Sequence, residues 1–599
     1  MEVSKKLSSL QEISKAQFSR ILNLVSSKKF LIIESSLIRP LEKVCGVKWL
    51  KGNGVEKIFK LESISPSSEG ACMFYMIYSD IRLFKQVVCQ IRSQVDDIEK
   101  AVKNKFHIIV IPSYNCSYEN ELEELGLLHS VIRIHMFQWM PIYLDVGLLS
   151  LEIPNIYSSL FVHQNLTYLP VLSKCLWQLS FVIGKPRFIV TLGQYSKSLL
   201  SQFDQYCEDK GESDRLESDF GALIIMDRNI DYTSALLTPG TYAGLLSEVY
   251  TVNSGICEKK QEDLKKLDEK CNPLPEMQPI KFCLDSKKDT IYCDIKNRFF
   301  TEVTSVLSHL TKELRTETMN SREMALDEIK HYVQTQLQAA KTKKKDITNH
   351  LLAAESIINI LGPRYEVQKF IEQNIIQDTE RSSNLNYLEK LLNTENDKLL
   401  TLRLFCLLCL FQPLSESEIK QFWLKFLYQF GFHYGFAFYN LISAGFVPEP
   451  VKTSSTLNLH GKLKIPKFTS SNYHLNAKNM KQIPADPSKV NFKFPTCASY
   501  VFAGCYIPLI TQIAGMILNS VPKDEIKAKL EVLGPLLIVD KGYPLQSRVV
   551  LIYIIGGVTY AEIAACNLLE TLTGAQIYIL SDRVISGNDL MQAILDYPK

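Results

Sequence analysis

The residues able to do chemistry in this chain are few, and their spacing is informative. Gly193-Gln-Tyr-Ser-Lys197-Ser198 comes directly after the apolar run Phe188–Leu192 and is the nearest approach to a phosphate-cradling loop. It lacks the second glycine and the spacing that let backbone N–H groups close on a phosphate. Gly556-Gly557 lies between the run Val549–Ile555 and a helical pattern, where an anion could dock. Two glycines without a third read as a tight strand-to-helix turn. Cys406-Leu-Leu-Cys409 has the spacing of half a zinc site, but no second pair lies at a workable distance and the motif sits inside the apolar run Leu402–Leu410. Buried thiols are the reading. The ten histidines form no metal-binding array, and His129 and His135 bracket an apolar strand. No Gly-x-Ser-x-Gly elbow exists, and no Cys or Ser is placed beside a histidine base. The expectation is a protein that is not an enzyme, with no cofactor and no metal.

Three other clusters suggest binding or structure rather than catalysis. Asp227, Arg228 and Asp231 end the apolar run Leu223–Met226, where they can pair and cap the next helix. Lys341, Lys343, Lys344 and Lys345 form a basic turn between two helical stripes, suited to acidic protein surfaces or anionic lipid. Phe430, Phe432, Tyr434 and Phe436 belong to an aromatic run from Trp423 to Phe438 that one helix face cannot bury alone. Gly431 and Gly435 predict a turn bringing some rings outward, with Phe432 as the expected interface anchor.

Hydrophobic period sets the elements that position these clusters. Apolar runs at Phe30–Ile33, Lys57–Leu61, Met73–Ile77 and His107–Ile111 alternate with helical patterns such as Arg82–Ile98 and Tyr118–Leu127, which argues for a parallel sheet covered on both faces. A second unit of this kind begins near Pro141 with Phe188–Leu192 and Ala222–Met226. It resumes near the C-terminus with Leu536–Val539, Val549–Ile555 and Gln576–Leu580. Residues 240–450 between them are almost wholly helical in pattern. Their three-four stripes run through Phe300, Val303, Leu307, Leu310 and Leu314, then Leu326, Ile329, Val333 and Leu337, then Ile347, Leu351, Ala354, Ile358 and Leu361. The lysine-rich stretch 451–493 reads as a long loop. The fold class is α/β, with two parallel-sheet domains and a long, mainly helical insertion in the second.

With 599 residues, 46% apolar and 22% charged, the chain can build cores of normal size. Its 67 basic and 64 acidic residues leave a net charge of +3, which removes nucleic acid from the expected partners. Fifteen scattered cysteines and an amphipathic N-terminus read as reduced thiols in the cytosol. Phe494–Pro522 has no charge and is long enough to span a bilayer, but Pro508, Gln512, Asn519 and two glycines favour a buried strand (Tyr500–Cys505), turn and helix.

Leu223-Ile-Ile-Met-Asp-Arg-Asn-Ile-Asp231, with Tyr242-Ala-Gly-Leu245 after it, resembles the strand and next element of the Sec/Munc (SM) family of SNARE-binding membrane-fusion proteins. Asp289–Phe300 resembles that family's entry into its helical hairpin, Ala498–Leu509 its returning segment, and Ile554-Ile-Gly-Gly-Val-Thr-Tyr-Ala-Glu-Ile563 its Gly-Gly-x-Thr-x-x-Glu-Ile signature. Gly54–Glu62 and Tyr143–Glu152 are similar to the vacuolar-protein-sorting thirty-three branch, B type. Ile77-Tyr78, where the family has Arg-Pro, and Thr238-Pro-Gly240 depart from it. The resemblance implies a three-domain arch: 1–140; 141–237 with 494–599; and an insertion of a hairpin at 238–365 and a second helical part at 366–493. It further implies that domain one and the insertion hold SNARE proteins in a cleft. A helical tethering partner of the vacuolar-sorting sixteen type would dock on the aromatic run. The protein would be cytoplasmic and reach late endosome and lysosome membranes peripherally, through such partners.

Overall fold

The computed structural model describes residues 2–62, 70–95, 105–210, 218–258, 281–320, 337–394, 397–448 and 473–596. Two long apolar stretches of sequence become two sheets. In the first, β1 (Lys29–Ile33), β2 (Val55–Lys60), β3 (Cys72–Tyr78), β4 (Phe106–Ile111) and β5 (Ile132–Met136) pair in the order β2-β1-β3-β4-β5, all parallel. Strand β4 is buried at every position, as expected of a sheet covered on both faces. Helix Ile81–Arg92, on the β3–β4 crossover, starts where the Asp80 carboxylate accepts from Arg82 N–H at 2.8 Å. Helix Cys116–Glu124, on the next crossover, is capped by Asn115 in the same way.

The second sheet opens with β6 (Ile142–Asp145), β7 (Leu148–Ser150), β8 (Phe188–Leu192) and β9 (Ala222–Asp227). The chain then leaves for the insertion, which is not wholly helical. Three short strands, β10 (Thr251–Asn253), β11 (Ile256–Glu258) and β12 (Lys281–Cys283), form an antiparallel sheet at its start. Strands of three residues carry too little alternation to stand out from a helical pattern. The chain returns as β13 (Leu536–Asp540), β14 (Val549–Ile555) and β15 (Gln576–Ser581), giving the order β13-β8-β9-β14-β15-β7-β6. The middle strands are parallel, whereas β13 runs against β8 and β6 against β7. Alternation along β14 divides two cores. Leu551, Tyr553 and Ile555 join one, while Val550, Ile552 and Ile554 join the other.

The basic stretch Lys341–Asp346 is not a turn. It lies within a continuous helix, Leu337–Ile376, of 40 residues. Lysine is a good helix former and needs no break to stay solvated, so a charge run alone was a false stop signal. This long helix packs against Phe300–Asn320, with Val303, Leu307, Ile347, Ala354 and Ile357 sharing one core. Leu326, Ile329 and Val333 lie outside the described residues, as does the side chain of Leu337.

Phe494–Pro522 contains no strand. Ala498–Phe502 forms a buried 3-10 turn, and Leu509–Leu518 a buried helix. The 18-residue stretch Leu166–Ile183 is apolar enough to cross a membrane by length and composition, yet half of it is buried against the rest of the fold. Much of the lysine-rich loop, residues 449–472, lies outside the described residues; Tyr473–Asn479 is helical.

Candidate functional sites and the buried junction

At the end of β9, Asp227 is fully buried and accepts from Tyr195 and Ser196 N–H, both at 2.7 Å. It therefore caps the helix before it in the chain, Gln194–Lys210, rather than the one after it. Gly193, at φ +122°, lets the backbone come this close, because a Cβ there would meet the Asp227 carboxyl at 2.3 Å. The glycine turn that resembles a phosphate loop is filled by the protein's own carboxylate. Burial pushes the Asp227 carboxyl up to about 7, against the two N–H donors.

Arg228 is also wholly buried, and its guanidinium lies 2.8 Å from Glu562. It donates further to the carbonyls of Gly557 and Asp231. Burial opposes its charge, but Glu562 and Asp231 outweigh it and hold the pKa above the ordinary arginine value. Glu562 also completes a capping box with Thr559 at the start of helix Tyr560–Thr573. Asp231 does cap the helical turn after it, accepting from Ser234 N–H at 3.2 Å and from the Ser234 hydroxyl at 2.6 Å. It also accepts from Tyr506 Oη and Leu509 N–H, each at 2.9 Å. Sequence reasoning named Asp227, Arg228 and Asp231 but not their distant partners, which no local spacing reveals. Gly556, beside this junction, donates its N–H to Asp582 at 2.7 Å. Burial pushes the Asp582 carboxyl up to about 6.

The aromatic run divides between core and surface. Helix Glu416–Phe430 buries Ile419, Phe422, Trp423, Phe426 and Leu427, with Phe422 stacked on Phe405 at 3.9 Å. Gly431 ends it at φ +118°, and a 3-10 turn, Phe432–Phe436, leads into Ala437–Ala444. Phe430, Tyr434 and Phe436 are half-buried against the core, and Tyr434 Oη accepts from Lys398 Nζ at 2.7 Å. Phe432 is 64% exposed and Tyr428 75% exposed, their rings edge to face at 5.2 Å. Leu424 and Tyr439 are exposed as well. The i, i+4 spacing of Leu424 and Tyr428 was the signal that could have added them to the site.

On the long helix, Lys341, Lys344 and Lys345 are exposed and Lys343 is half-buried. The next turns clamp the helix to the body. His350 is buried, with Nε2 2.9 Å from the Asp289 carboxylate and Nδ1 2.8 Å from Tyr242 Oη. Burial alone would raise the Asp289 carboxyl, but His350 and the Tyr292 N–H hold it below the ordinary value. The apolar side chains of this helix divide between core and solvent. Ile347, Ala354 and Ile357 face the core, whereas Leu351, Ile358, Ile360, Val367 and Phe370 are exposed, Phe370 by 57%.

Cys406 and Cys409 are buried in helix Lys398–Phe411, where Cys406 Sγ lies 3.8 Å from Met591 Sδ. Among the described residues no three His, Cys, Asp or Glu side chains are grouped to hold a metal. His135 stands in β5 and stacks on His107 at 5.2 Å, and burial together with that neighbour pushes it down to about 4.

Two α/β units, the second interrupted by a mainly helical insertion that exposes apolar side chains among polar ones, define a large scaffold. The chain belongs to the Sec1 family, whose model matches residues 29–593. It is 25% identical to vacuolar protein sorting-associated protein 33B of Danio rerio, across 98% of this chain and 97% of that one. Against the 33B protein of Homo sapiens the figure is 23%, with 98% and 97% covered. Against the 33A protein of Rattus norvegicus it is 24%, with 99% and 98% covered. Among solved structures, the SM protein Vps45 in complex with the Qa SNARE Tlg2 superposes with a TM-score of 0.58 at 12% identity, over 98% of this chain and 97% of that one. Sly1p in complex with an N-terminal peptide of Sed5p gives 0.57 at 14% identity, over 98% of each. The shared fold is the three-domain arch of SM proteins.

Proposed function

We propose that this protein binds SNARE proteins and templates their assembly, as part of a vesicle-tethering complex acting in trafficking and fusion at late endosome and lysosome membranes. The observation that carries the reading is the set of exposed apolar side chains on the long helix. Leu351 and Ile358, seven residues apart, share one face, and Ile360 and Val367 share the opposite one, so each face offers about 10 Å of exposed apolar surface to a partner helix. The lysines at the N-terminal end of the long helix add positive charge for acidic SNARE surfaces or anionic lipid. Vps45, which shares the fold, is seen with the Qa SNARE Tlg2, and Sly1p with an N-terminal peptide of Sed5p. The names of the vacuolar-sorting relatives support the same pathway.

In this reading residues 1–140 form domain one, and 141–237 with 494–599 form domain two. The insertion divides into 238–365 and 366–493. The ridge of Tyr428 and Phe432, flanked by Leu424 and Tyr439, docks a helical tethering partner of the vacuolar-sorting sixteen type. The protein is cytoplasmic, acts by binding rather than catalysis, and reaches the membrane peripherally through its partners. A second reading, a tethering scaffold without direct SNARE contact, rests on that ridge alone. Pull-downs with SNARE cytosolic domains separate the two, since only the first requires Leu351, Ile358 and Phe370.

A further inference from the structure

The lysine-rich stretch of the sequence takes no part in the aromatic ridge or the buried junction, yet its second half, residues 473–495, is a folded strap. The inner side of the strap is pinned along its length. Gln482 donates its side-chain N–H to Tyr506 Oη, and its carbonyl accepts from Ile507 N–H at 2.7 Å. The Lys481 carbonyl accepts from the Gln512 side chain at 2.9 Å. Pro487 and Val490 press on Gly504, where a Cβ would meet the Pro487 carbonyl at 2.3 Å. Phe492 stacks on Phe299 with ring centroids 4.1 Å apart. At the start of the strap, helix Tyr473–Asn479 buries Asn476 and Ala477.

What the strap turns outward is basic and apolar. Lys478, Lys481, Lys489 and Lys493 are exposed, against a single carboxylate, Asp486, which lies 3.4 Å from Lys489. Among the described residues the other three lysines make no ion pair. Leu475 shares a helix face with Lys478 and is 57% exposed. Phe494 is 69% exposed, with the Lys493 ammonium 5.7 Å from its ring centroid. Each end of the strap therefore sets one apolar side chain beside a lysine in solvent. Spread positive charge with single protruding apolar groups fits an anionic bilayer, where lysines meet headgroups of no fixed geometry and a ring enters the headgroup boundary. An acidic partner helix would call for a continuous apolar seam between the charges, whereas Leu475 and Phe494 stand at opposite ends of the strap's sequence.

We infer that this strap is a contact surface for anionic lipid, through which the chain itself touches the bilayer in addition to any partner that recruits it. The full chain is floated with vesicles of phosphatidylcholine mixed equally with phosphatidylserine, and with vesicles of phosphatidylcholine alone. Binding to the anionic vesicles alone is expected, and it should fall as salt is raised. Reversing Lys478, Lys481 and Lys493 to Glu should weaken it ~10-fold or more, since each lysine near such a surface is worth a change on the order of five-fold. Phe494→Ser should weaken it less and leave the salt dependence unchanged. All four side chains are exposed, so these variants should melt with the parent protein. In a second measurement, the indole introduced by Phe494→Trp should shift its emission to shorter wavelength on the anionic vesicles. Reversing Lys341, Lys344 and Lys345 on the long helix is the control, and loss of binding in the strap variant supports the inference whatever that control does. No binding to anionic vesicles, binding that the strap variant leaves intact, or an unshifted indole emission overturns it. Strap variants that lose SNARE capture, with no vesicle binding by the parent, would assign the strap to an acidic protein and equally overturn it.

Discussion

Arg228 and Glu562 lie 334 positions apart in the chain, yet their side chains meet at 2.8 Å with no exposure to solvent. The pair joins the strand that precedes the insertion to the helix beyond it. The parallel register of β9 with β14, Val550 opposite Ala222 through Ile555 opposite Asp227, is therefore locked at its carboxyl end by a charge pair.

Removing one partner strands the other charge in the core, which costs about 3–5 kcal/mol. Arg228→Ala and Glu562→Ala should each lower the midpoint of denaturant unfolding sharply. The double variant should lose less than the sum of the two, since neither member of the pair is then left as a charge facing a missing partner. Additive losses in the denaturation cycle would show that the pair is not coupled.

The buried Asp582 carboxyl gives stability a pH dependence of defined sign. Its folded value, raised to about 6, lies above the ordinary 3.8, so the folded state binds the proton more tightly than the unfolded one. Its contribution is fully present below about 4 and is lost as pH rises through about 6. Asp582→Asn can still accept from Gly556 N–H and bond Tyr553 Oη without carrying a charge. The variant should gain stability relative to the parent at pH 8 and lose that advantage near pH 4. A gain that does not vary with pH would contradict this.

Gly193→Ala should destabilise the protein by about 2 kcal/mol or more, because the new methyl group meets Asp227 while the backbone keeps a left-handed φ. Thermal melting checks this, and a melting temperature equal to the parent's would mean that the turn can relax.

Phe432→Asp should leave the melting temperature nearly unchanged, since the ring is mostly in solvent, and abolish capture of the proposed helical tethering partner. Phe426→Asp, at a wholly buried position, should instead unfold the insertion. Equal partner capture by Phe432→Asp and the parent protein would remove the ridge from the interface.

Legibility in the sequence tracked the strength of local signals. Long apolar runs such as Met73–Ile77 and Val549–Ile555 announced the sheets, because strands buried on both faces need continuous apolar sequence. Phe432 was legible as a surface residue through Gly431, whose positive φ ends the helix and turns the next ring outward. The partners of Arg228 and Asp231 were not legible, because Glu562 and Tyr506 arrive from beyond the insertion. The break expected at Lys341 failed because solvated lysines suit a helix as well as a turn.

If the exposed apolar side chains of the long helix receive SNARE helices, immobilised SNARE cytosolic domains should retain the parent protein. Leu351→Asp with Phe370→Asp should abolish that retention while leaving the fold intact, since both side chains are exposed. Reversing Lys341, Lys344 and Lys345 to Glu should weaken retention at low salt, by ~1 kcal/mol per charge, and have less effect at high salt. Retention unchanged by both sets of substitutions would contradict the account.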